Sequence, residues 1–327
     1  MIFGHKKNLK IISEIIKENK LPHALLFSGP DCIGKRKIAI EIAKYLQGEH
    51  KKESFFEFSQ KDCNCDICRE IENGNFSDLI EIQDEEEQIS IKEIRKIKEK
   101  NSYSSVYPFK IFILNNIEKL SSSASGALLK TLEEPSKNTI FFLLTQNSSL
   151  VLKTILSRVT IFKFSLLSKN EIGEFLKEIQ KTLGIRIDRD EEQKIIDLSL
   201  GRPGKAKEML LDKKRILYYN SILDYIEKLP SLSIFKRMEL AKRVEEGGLI
   251  FDFLIFLTFW FEDILLSKIG LDKFNFNFKK NSIIKNAEIF SEEKIKEIIK
   301  NIQKIQYYIN FSNTSKLLAL ENLFLEI

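Results

Sequence analysis

Apolar residues in the first half of the chain form short continuous runs that alternate with segments of helical periodicity. The spacing of Ile38, Ile42 and Leu46, for example, puts apolar side chains on one face of a helix that begins at residue 35. Strands that alternate with helices at this spacing predict a doubly wound parallel α/β sheet. The predicted buried strands are residues 24–28, 79–82, 111–114, 140–145 and 160–164.

Two helix starts carry capping boxes, in which a Ser and a Glu three residues later satisfy backbone N–H groups of the first turn. The pairs are Ser90 with Glu93 and Ser168 with Glu171. The acidic run at 84–87, just before the first pair, predicts a solvated loop.

After residue 165 the strand pattern stops. From about residue 212 onward the pattern is wholly helical, with Ile222, Ile226 and Leu229 at helical spacing. The sequence therefore predicts three domains: an α/β domain at 1–165 with a Cys-rich insertion near 50–70, a small helical domain at 166–211, and a helical domain at 212–327.

Charge and hydropathy limit the function classes. The chain has 327 residues and a net charge of +5, so its mildly basic surface is compatible with nucleic acid without requiring it. The N-terminus leads into an amphipathic helix rather than a signal peptide. The most apolar window, 249–261, is interrupted by Asp252 and is shorter than the roughly 20 apolar residues that cross a bilayer. We expect a cytoplasmic protein with no membrane segment, whose cysteines bind metal or remain free thiols.

Residues 29–35 carry the G-x-x-x-x-G-K frame of a phosphate-binding loop, in which Gly29, Gly34 and Lys35 are the nucleotide-binding residues. The next residue is Arg36, where a Ser or Thr hydroxyl would hold Mg²⁺. The loop has the residues to cradle a nucleotide but is poorly equipped to hydrolyse one, and ATP binding is doubtful. The alternative, a chance Gly-rich turn, is disfavoured by the strand-turn-helix context.

Asn115 and Asn116 follow the strand at 111–114. In P-loop nucleotide hydrolases the corresponding strand ends in acidic residues that hold the metal and orient the attacking water. An amide cannot act as a base near neutral pH. An ordinary loop pair would be the preferred interpretation if this strand stood alone, but together with Arg36 the pair indicates a second loss of hydrolytic chemistry.

Three segments together resemble the bacterial clamp-loader subunits of the AAA+ class: residues 23–30 (HALLFSGP), 127–135 (ALLKTLEEP) and 154–158 (TILSR). Their order and spacing match that family over nearly the whole chain, and the last two are far more specific than the P-loop. The resemblance implies an AAA+ α/β domain, a small helical lid domain and an all-α collar domain that serves oligomerisation.

Within that family, intact nucleotide motifs are typical of gamma/tau ATPases, whereas a damaged P-loop without the acidic pair is similar to delta-prime-type subunits of DNA polymerase III. The resemblance implies a non-hydrolysing subunit of the DNA polymerase III holoenzyme, a DNA-directed DNA polymerase. It would complete a ring with gamma/tau-like and delta-like subunits and help load the sliding clamp on primer-template DNA. An active gamma/tau-like ATPase is the alternative, and a stand-alone nucleic-acid-binding protein is a weaker one.

The same resemblance implies a role for Arg158. In the family, the Arg of a Ser-Arg-Cys motif acts as an arginine finger: it reaches the neighbouring subunit's nucleotide and stabilises charge on the transferred phosphoryl group. Arg158 occupies that place, followed by Val159 instead of Cys. The alternative for Arg158 is a surface ion pair. Thr145 and Gln146 fall where the family senses nucleotide.

The cysteine cluster at 63–71 resembles the family's zinc module, in which one upstream Cys precedes a C-x-x-C-x-x-C run. Cys65 and Cys68 keep the final C-x-x-C, whereas Cys63 is out of register by one. Since Cys32 belongs to the P-loop, His50 is the nearby residue suited to be the fourth ligand, and zinc accepts a Cys₃His set. Zinc bound by His50, Cys63, Cys65 and Cys68 and a decayed, metal-free loop are both open interpretations.

Two further segments resemble parts of the family but are assigned no chemical role. Residues 201–205 (GRPGK) resemble the family's sensor-2 region, but a Pro/Gly helix start explains them equally well. Residues 260–265 (WFEDIL) resemble a stretch of a collar helix, for which burial is a sufficient explanation.

Overall fold

The structure is a computed structural model that describes residues 1–48, 50, 52–82, 89–102, 105–271, 275, 280–311 and 314–327. The described residues divide into two compact units. The first comprises Met1–Ile185 and Gly201–Lys205, and the second comprises Arg186–Leu200 and Ala206–Ile327. The acidic run at 84–87 lies outside the described residues, and the division into three domains stays a prediction.

The first unit contains five strands: β1 Ala24–Ser28, β2 Leu79–Ile82, β3 Lys110–Leu114, β4 Thr139–Thr145 and β5 Thr160–Lys163. Its described helices are α1 Lys6–Lys17, α2 Lys35–Gln47, α3 Phe55–Phe58, α4 Asp66–Glu72, α5 Ile91–Ser102, α6 Ser122–Glu133, α7 Lys153–Leu156 and α8 Lys169–Leu183. All five predicted strands are confirmed to within one residue at each end. Strands β3 and β4 each begin one residue early because Lys110 and Thr139 pair with each other, and backbone pairing does not require apolar side chains.

The five strands form one parallel sheet in the order β2-β3-β4-β1-β5. Leu25 and Phe27 of β1 point into a core with α1 to α4, whereas Leu26 points into a second core with α5 and α6. Successive residues of a strand point to opposite faces, so helices cover both faces of the sheet. The doubly wound parallel α/β fold is therefore confirmed.

Capping explains where α8 begins. Glu171 N–H donates to the Ser168 hydroxyl at 3.3 Å, and Ser168 N–H donates to the Glu171 carboxylate at 2.9 Å. At the start of α5, Ser90 N–H donates to Glu93 at 2.6 Å. Both helices begin where the capping boxes place them.

The second unit is helical over its described residues. Its helices are α9 Arg189–Leu198, α11 Lys213–Lys228, α12 Ile234–Glu246, α13 Ile250–Lys268, α14 Lys280–Ile289, α15 Glu292–Phe311 and α16 Lys316–Glu326, and α10 Pro203–Leu211 begins in the first unit. Helix α13 buries Trp260 and Phe261 among its neighbours, as expected for the centre of a helical bundle. None of the described helices combines the length and apolar content needed to cross a bilayer.

Candidate functional site

The P-loop and Asn115 follow the carboxyl ends of β1 and β3, and Thr145 is the last residue of β4. Because these strands are parallel neighbours, the three positions lie at the same edge of the sheet, at the carboxyl ends of its strands. This is the edge at which open α/β sheets bind ligands. Gly34 closes the loop as the residue before α2, with a φ of 100° that a side chain rarely adopts. The structure thus brings the predicted nucleotide-binding residues together.

Lys35 is turned onto its own loop. Its ammonium group donates a hydrogen bond to the Gly29 carbonyl and another, at 2.7 Å, to the Pro30 carbonyl. Burial lowers the pKa of Lys35, with a further contribution from Arg202 and opposing contributions led by Asp31. To bind a phosphate, the Lys35 ammonium must first leave these two carbonyls.

Arg36 is partly exposed and pairs with Glu81 of β2. Its Nε and Nη2 donate to the two Glu81 carboxylate oxygens at 2.5 and 2.6 Å. Asn115 Nδ2 donates to the same carboxylate at 2.8 Å. An active P-loop hydrolase needs a hydroxyl, a metal ion and carboxylates at this place. Here a guanidinium, a carboxylate and an amide contact one another instead. We call Arg36, Glu81 and Asn115 the Glu81 network. The sequence pattern gives no signal for Glu81, because Glu81 is a single polar residue within a short, otherwise apolar strand.

Glu118 is a second carboxylate that the sequence analysis missed. It follows β3 in the short helical turn Ile117–Lys119, and its Oε1 accepts a hydrogen bond from the backbone N–H of Gln146 at 3.1 Å. Its Oε2 is buried and has no hydrogen-bond partner among the described atoms. The charge of Glu118 partly opposes the lowering of the Lys35 pKa by burial, so Glu118 acts on the P-loop.

The segment 201–205 contacts the P-loop within the first unit. Gly204 N–H donates to the Cys32 carbonyl at 2.8 Å, and Arg202 is buried with 8 % of its surface exposed. Pro203 begins α10, as the helix-start interpretation predicts. The additional contact with the loop depends on residues far apart in the sequence and has no local signal.

Arg158 forms a surface ion pair within its own chain. Its Nε and Nη2 donate to Glu133 Oε1 at 3.0 and 2.6 Å. Its Nη1 donates to the Thr154 carbonyl at 2.9 Å and to the Ser157 hydroxyl at 3.0 Å. The side chain keeps 35 % of its surface exposed. Both interpretations of Arg158 remain compatible with this geometry, because an exposed guanidinium can exchange one anionic acceptor for another.

The four predicted metal ligands, His50, Cys63, Cys65 and Cys68, come together in the first unit. Their ligand atoms all lie within 4.8 Å of one another, and His50 Nε2 lies 3.9, 3.7 and 3.4 Å from the sulfurs of Cys63, Cys65 and Cys68. A tetrahedral zinc with bonds of about 2.3 Å to sulfur and about 2.0 Å to nitrogen spaces its ligand atoms by about 3.5 to 3.8 Å. The donor set therefore fits zinc.

The ionisation of these groups is also consistent with a cation. Burial lowers the pKa of His50, which favours the neutral imidazole that a metal requires. Burial raises the pKa of Cys68 above its usual range, and the nearby thiols raise it further. Burial opposes ionisation of Cys65 as well, but its hydrogen bonds, mainly with Cys68, outweigh burial and lower its pKa, which favours a thiolate that a cation would stabilise.

Two neighbours set the position of the His50 ring. The ring packs on Phe58 with 4.5 Å between centroids. Gly48 also lies beside the ring, and a Cβ added there would be 2.3 Å from His50 Nε2. Only a residue without a side chain leaves room for the imidazole there.

A partly buried ion-pair network joins the cysteine-bearing helix α4 to α2. Lys44 donates to Glu72 at 2.6 Å and to Glu41 at 3.2 Å. Lys37 pairs with Glu41 at 2.9 Å. Since His50 follows α2 and Cys68 lies in α4, this network helps to hold the ligands together.

Several known proteins are similar to this chain. The family model described as DNA polymerase III, delta subunit, matches residues 4–168. The DNA polymerase III subunit gamma of Buchnera aphidicola from Schizaphis graminum is 37 % identical over 64 % of this chain and 56 % of its own. A replication factor C small subunit of Thermoplasma acidophilum is 27 % identical over 94 % of this chain and 87 % of its own. The solved structure of a DNA polymerase III gamma subunit-related protein from Thermotoga maritima aligns with this chain over 97 % of each chain, at 21 % identity and a TM-score of 0.42.

The chain spans only part of the curated gamma and tau relatives that it matches. It covers 56 % of the Buchnera gamma subunit and 30 % of the Bacillus subtilis tau subunit.

Proposed function

Because the chain belongs to the DNA polymerase III delta-subunit family of AAA+ clamp-loader proteins, whose model matches residues 4–168, we propose that it is a delta-prime-type subunit without ATPase activity of its own. The observation that carries this proposal is the Glu81 network. Arg36 and Asn115 are bound to Glu81 where catalysis needs a metal-binding hydroxyl and a carboxylate. A guanidinium there cannot ligate Mg²⁺.

The direct test is ATP turnover by the purified chain alone. We expect no hydrolysis above background, because both the metal site and the water-orienting carboxylates are lacking. Turnover that disappears in Lys35→Ala would contradict the proposal, since Lys35 would then be part of a working site.

The proposed contribution of this subunit to ATP hydrolysis is made through Arg158. In a ring with gamma/tau-like and delta-like subunits, Arg158 would act on the neighbouring subunit's ATP during loading of the sliding clamp on primer-template DNA. A guanidinium supplied in trans stabilises the charge of the phosphoryl-transfer transition state. We place this assembly in the cytoplasm.

Arg158→Ala in a reconstituted complex tests that contribution. The variant should assemble but lower ATPase and clamp-loading rates by about 10-fold or more. Arg158→Lys should rescue only partly, because an ammonium lacks the planar fork. Wild-type rates in both variants would assign Arg158 a purely structural role.

We also propose that His50, Cys63, Cys65 and Cys68 bind a structural zinc ion. All four positions are protein ligands, so the site is closed and has no position for a substrate. Zinc would hold the segment after α2 against α4 rather than take part in phosphoryl transfer.

One observation favours a second candidate function, a gamma/tau-like ATPase. The carboxylate of Glu118 lies near the carboxyl-end edge of the sheet, and one of its oxygens has no hydrogen-bond partner among the described residues. It could replace the missing acidic residues. In that case the chain alone would hydrolyse ATP, and Glu118→Gln would abolish the activity.

A further inference from the structure

The guanidinium of Arg158 is turned toward acceptors of its own chain. Its Nε and Nη2 share Glu133 Oε1, and its Nη1 donates to Thr154 and Ser157. A guanidinium has five N–H donors in a planar fork, and two parallel donors are needed to clamp a phosphate. The fork cannot hold Glu133 in this way and clamp a partner's phosphate at the same time.

We propose that Glu133 is a positioning residue that latches Arg158 in the separate subunit and releases it when a partner's nucleotide arrives. This inference rests on the proposed function of Arg158 in trans. We call the Glu133–Arg158 ion pair the latch. Carboxylate and phosphate are competing acceptors for the same fork, so engagement of the nucleotide replaces one anion by another.

The surroundings of the latch make it reversible. The Glu133 and Arg158 side chains are 48 % and 35 % exposed. Ion pairs with this exposure to water are weak and change an equilibrium by about 1.5- to 5-fold. A nucleotide phosphate carries more charge than one carboxylate and can therefore displace Glu133.

The position of Glu133 supports a specific contact. It is the last residue of α6, and Arg158 follows α7, which packs against α6 in the same unit. The adjacent Glu134 has the same charge but no side-chain partner among the described residues. Glu134→Gln is therefore a matched control for Glu133→Gln, because both variants remove one negative charge at the end of α6.

The first test uses the isolated chain and chemical modification of Arg158 by phenylglyoxal, followed by peptide mass spectrometry. Release of the latch should expose the guanidinium. We expect Glu133→Gln to raise the modification rate of Arg158 by about 1.5- to 5-fold, and Glu134→Gln to leave it unchanged. Equal rates in Glu133→Gln and the wild type would overturn the latch.

The second test measures steady-state ATPase activity of the complex reconstituted with its gamma/tau-type partner. Because the latch stabilises the state before engagement, Glu133→Gln should raise kcat/KM for ATP by about 1.5- to 5-fold. Glu134→Gln should match the wild type. An unchanged or lower kcat/KM in Glu133→Gln would overturn the proposal, and a lower value would mean that Glu133 directs Arg158 toward the partner.

Arg158→Ala separates the failure of the latch from failure of the proposed function. If this variant retains wild-type ATPase activity in the complex, Arg158 does not act in trans and both proposals fall. If Arg158→Ala is impaired while Glu133→Gln behaves like the wild type, the arginine finger remains and only the latch is rejected.

Discussion

At the scale of single residues, replacement of one side chain changes what its neighbours can do. Arg36 brings a fixed positive charge to the start of α2, and Glu81 and Asn115 orient toward it rather than toward a metal. Gly48 acts by the absence of a side chain, since it leaves room for the His50 ring. Each case leads to a substitution with a defined outcome.

Arg36→Thr should not create ATPase activity in the isolated chain. The new hydroxyl restores one metal ligand, but Asn115 and Asn116 still provide no carboxylate. Glu81 loses its ion pair at the same time, and the free energy of unfolding should fall by about 0.5 to 1 kcal/mol, because the Arg36 side chain is 53 % exposed. Phosphate-release assays and denaturant titration measure the two effects. Clear turnover by Arg36→Thr would show that a hydroxyl was the only missing group.

Gly48→Ala should weaken zinc binding. The added Cβ would lie 2.3 Å from His50 Nε2 and displace the ring from the three sulfurs. We expect at least a 10-fold loss of affinity, measured by competition with a chromophoric chelator.

Gly126→Ala is the control for this variant. Gly126 lies within α6 and nothing stands within 4 Å of an added Cβ. This change should leave zinc binding intact and stabilise the helix by about 0.5 to 1 kcal/mol. Equal zinc affinities of the two variants would contradict the proposal that Gly48 leaves the space His50 needs to bind zinc.

At the scale of secondary structure elements, the ion-pair network joins α2 to α4, the helix that carries the proposed ligand Cys68. Lys44 and Glu41 are both buried, with 2 % of their surfaces exposed. A buried ion pair adds little net stability relative to apolar side chains, but removal of one partner leaves an uncompensated charge. The two lysines of the network should therefore differ sharply in their effects.

Lys44→Ala should destabilise the first unit by about 1 to 3 kcal/mol, because the buried Glu41 carboxylate then keeps only the partly exposed Lys37 as a partner. Lys37→Ala is the matched control, since the Lys37 side chain is 43 % exposed and its loss should cost less than about 1 kcal/mol. Hydrogen exchange in α2 and α4 measures both effects. Similar protection in the two variants would show that burial of Lys44 does not matter.

Removal of zinc should affect the elements around the metal and spare the second unit. Chelation should speed hydrogen exchange in the segment from His50 to Glu72, because the four ligands then lose the metal bonds that link them. Trp260, the one tryptophan of the chain, lies in α13 of the second unit, so its fluorescence should stay unchanged. Protein that contains no zinc when purified without chelators would support the decayed-loop interpretation instead.

At the scale of the whole molecule, the residues at the carboxyl-end edge of the sheet, where a nucleotide would bind, already form hydrogen bonds within the chain. Lys35 is bound to the Gly29 and Pro30 carbonyls, and Arg36 is bound to Glu81. A ligand that binds the native state raises its stability by RT ln(1 + [L]/Kd). ATP must break internal hydrogen bonds before it can contribute this term.

Millimolar ATP with Mg²⁺ should therefore shift the Tm of the isolated chain by less than about 1 °C. Differential scanning calorimetry of the chain with and without nucleotide gives the result, and a gamma/tau-type ATPase provides a positive control. A larger shift that is lost in Lys35→Ala would demonstrate nucleotide binding by this P-loop.

Much of the fold could be predicted from the sequence because its signals are local. Strands β1 and β2 match the predicted residues, since each is a short segment of mainly apolar residues. The capping box of Ser168 and Glu171 marked the start of α8 for the same reason. The family followed from ordered motifs, and the ligand types of the metal site followed from residue identity. These properties depend on chain order and spacing, which the sequence contains directly.

Only the tertiary structure decided which distant groups meet. Glu81 and Arg36 are 45 residues apart, and Glu133 and Arg158 are 25 apart. Nothing in the spacing of such pairs distinguishes them from the other acidic and basic residues of a chain that is 30 % charged. Their contacts arise because parallel strands bring their carboxyl ends to one edge and because α6 packs on α7. The sequence by itself thus determined which chemical groups are present and which elements carry them, whereas packing of those elements decided which charge neutralises which.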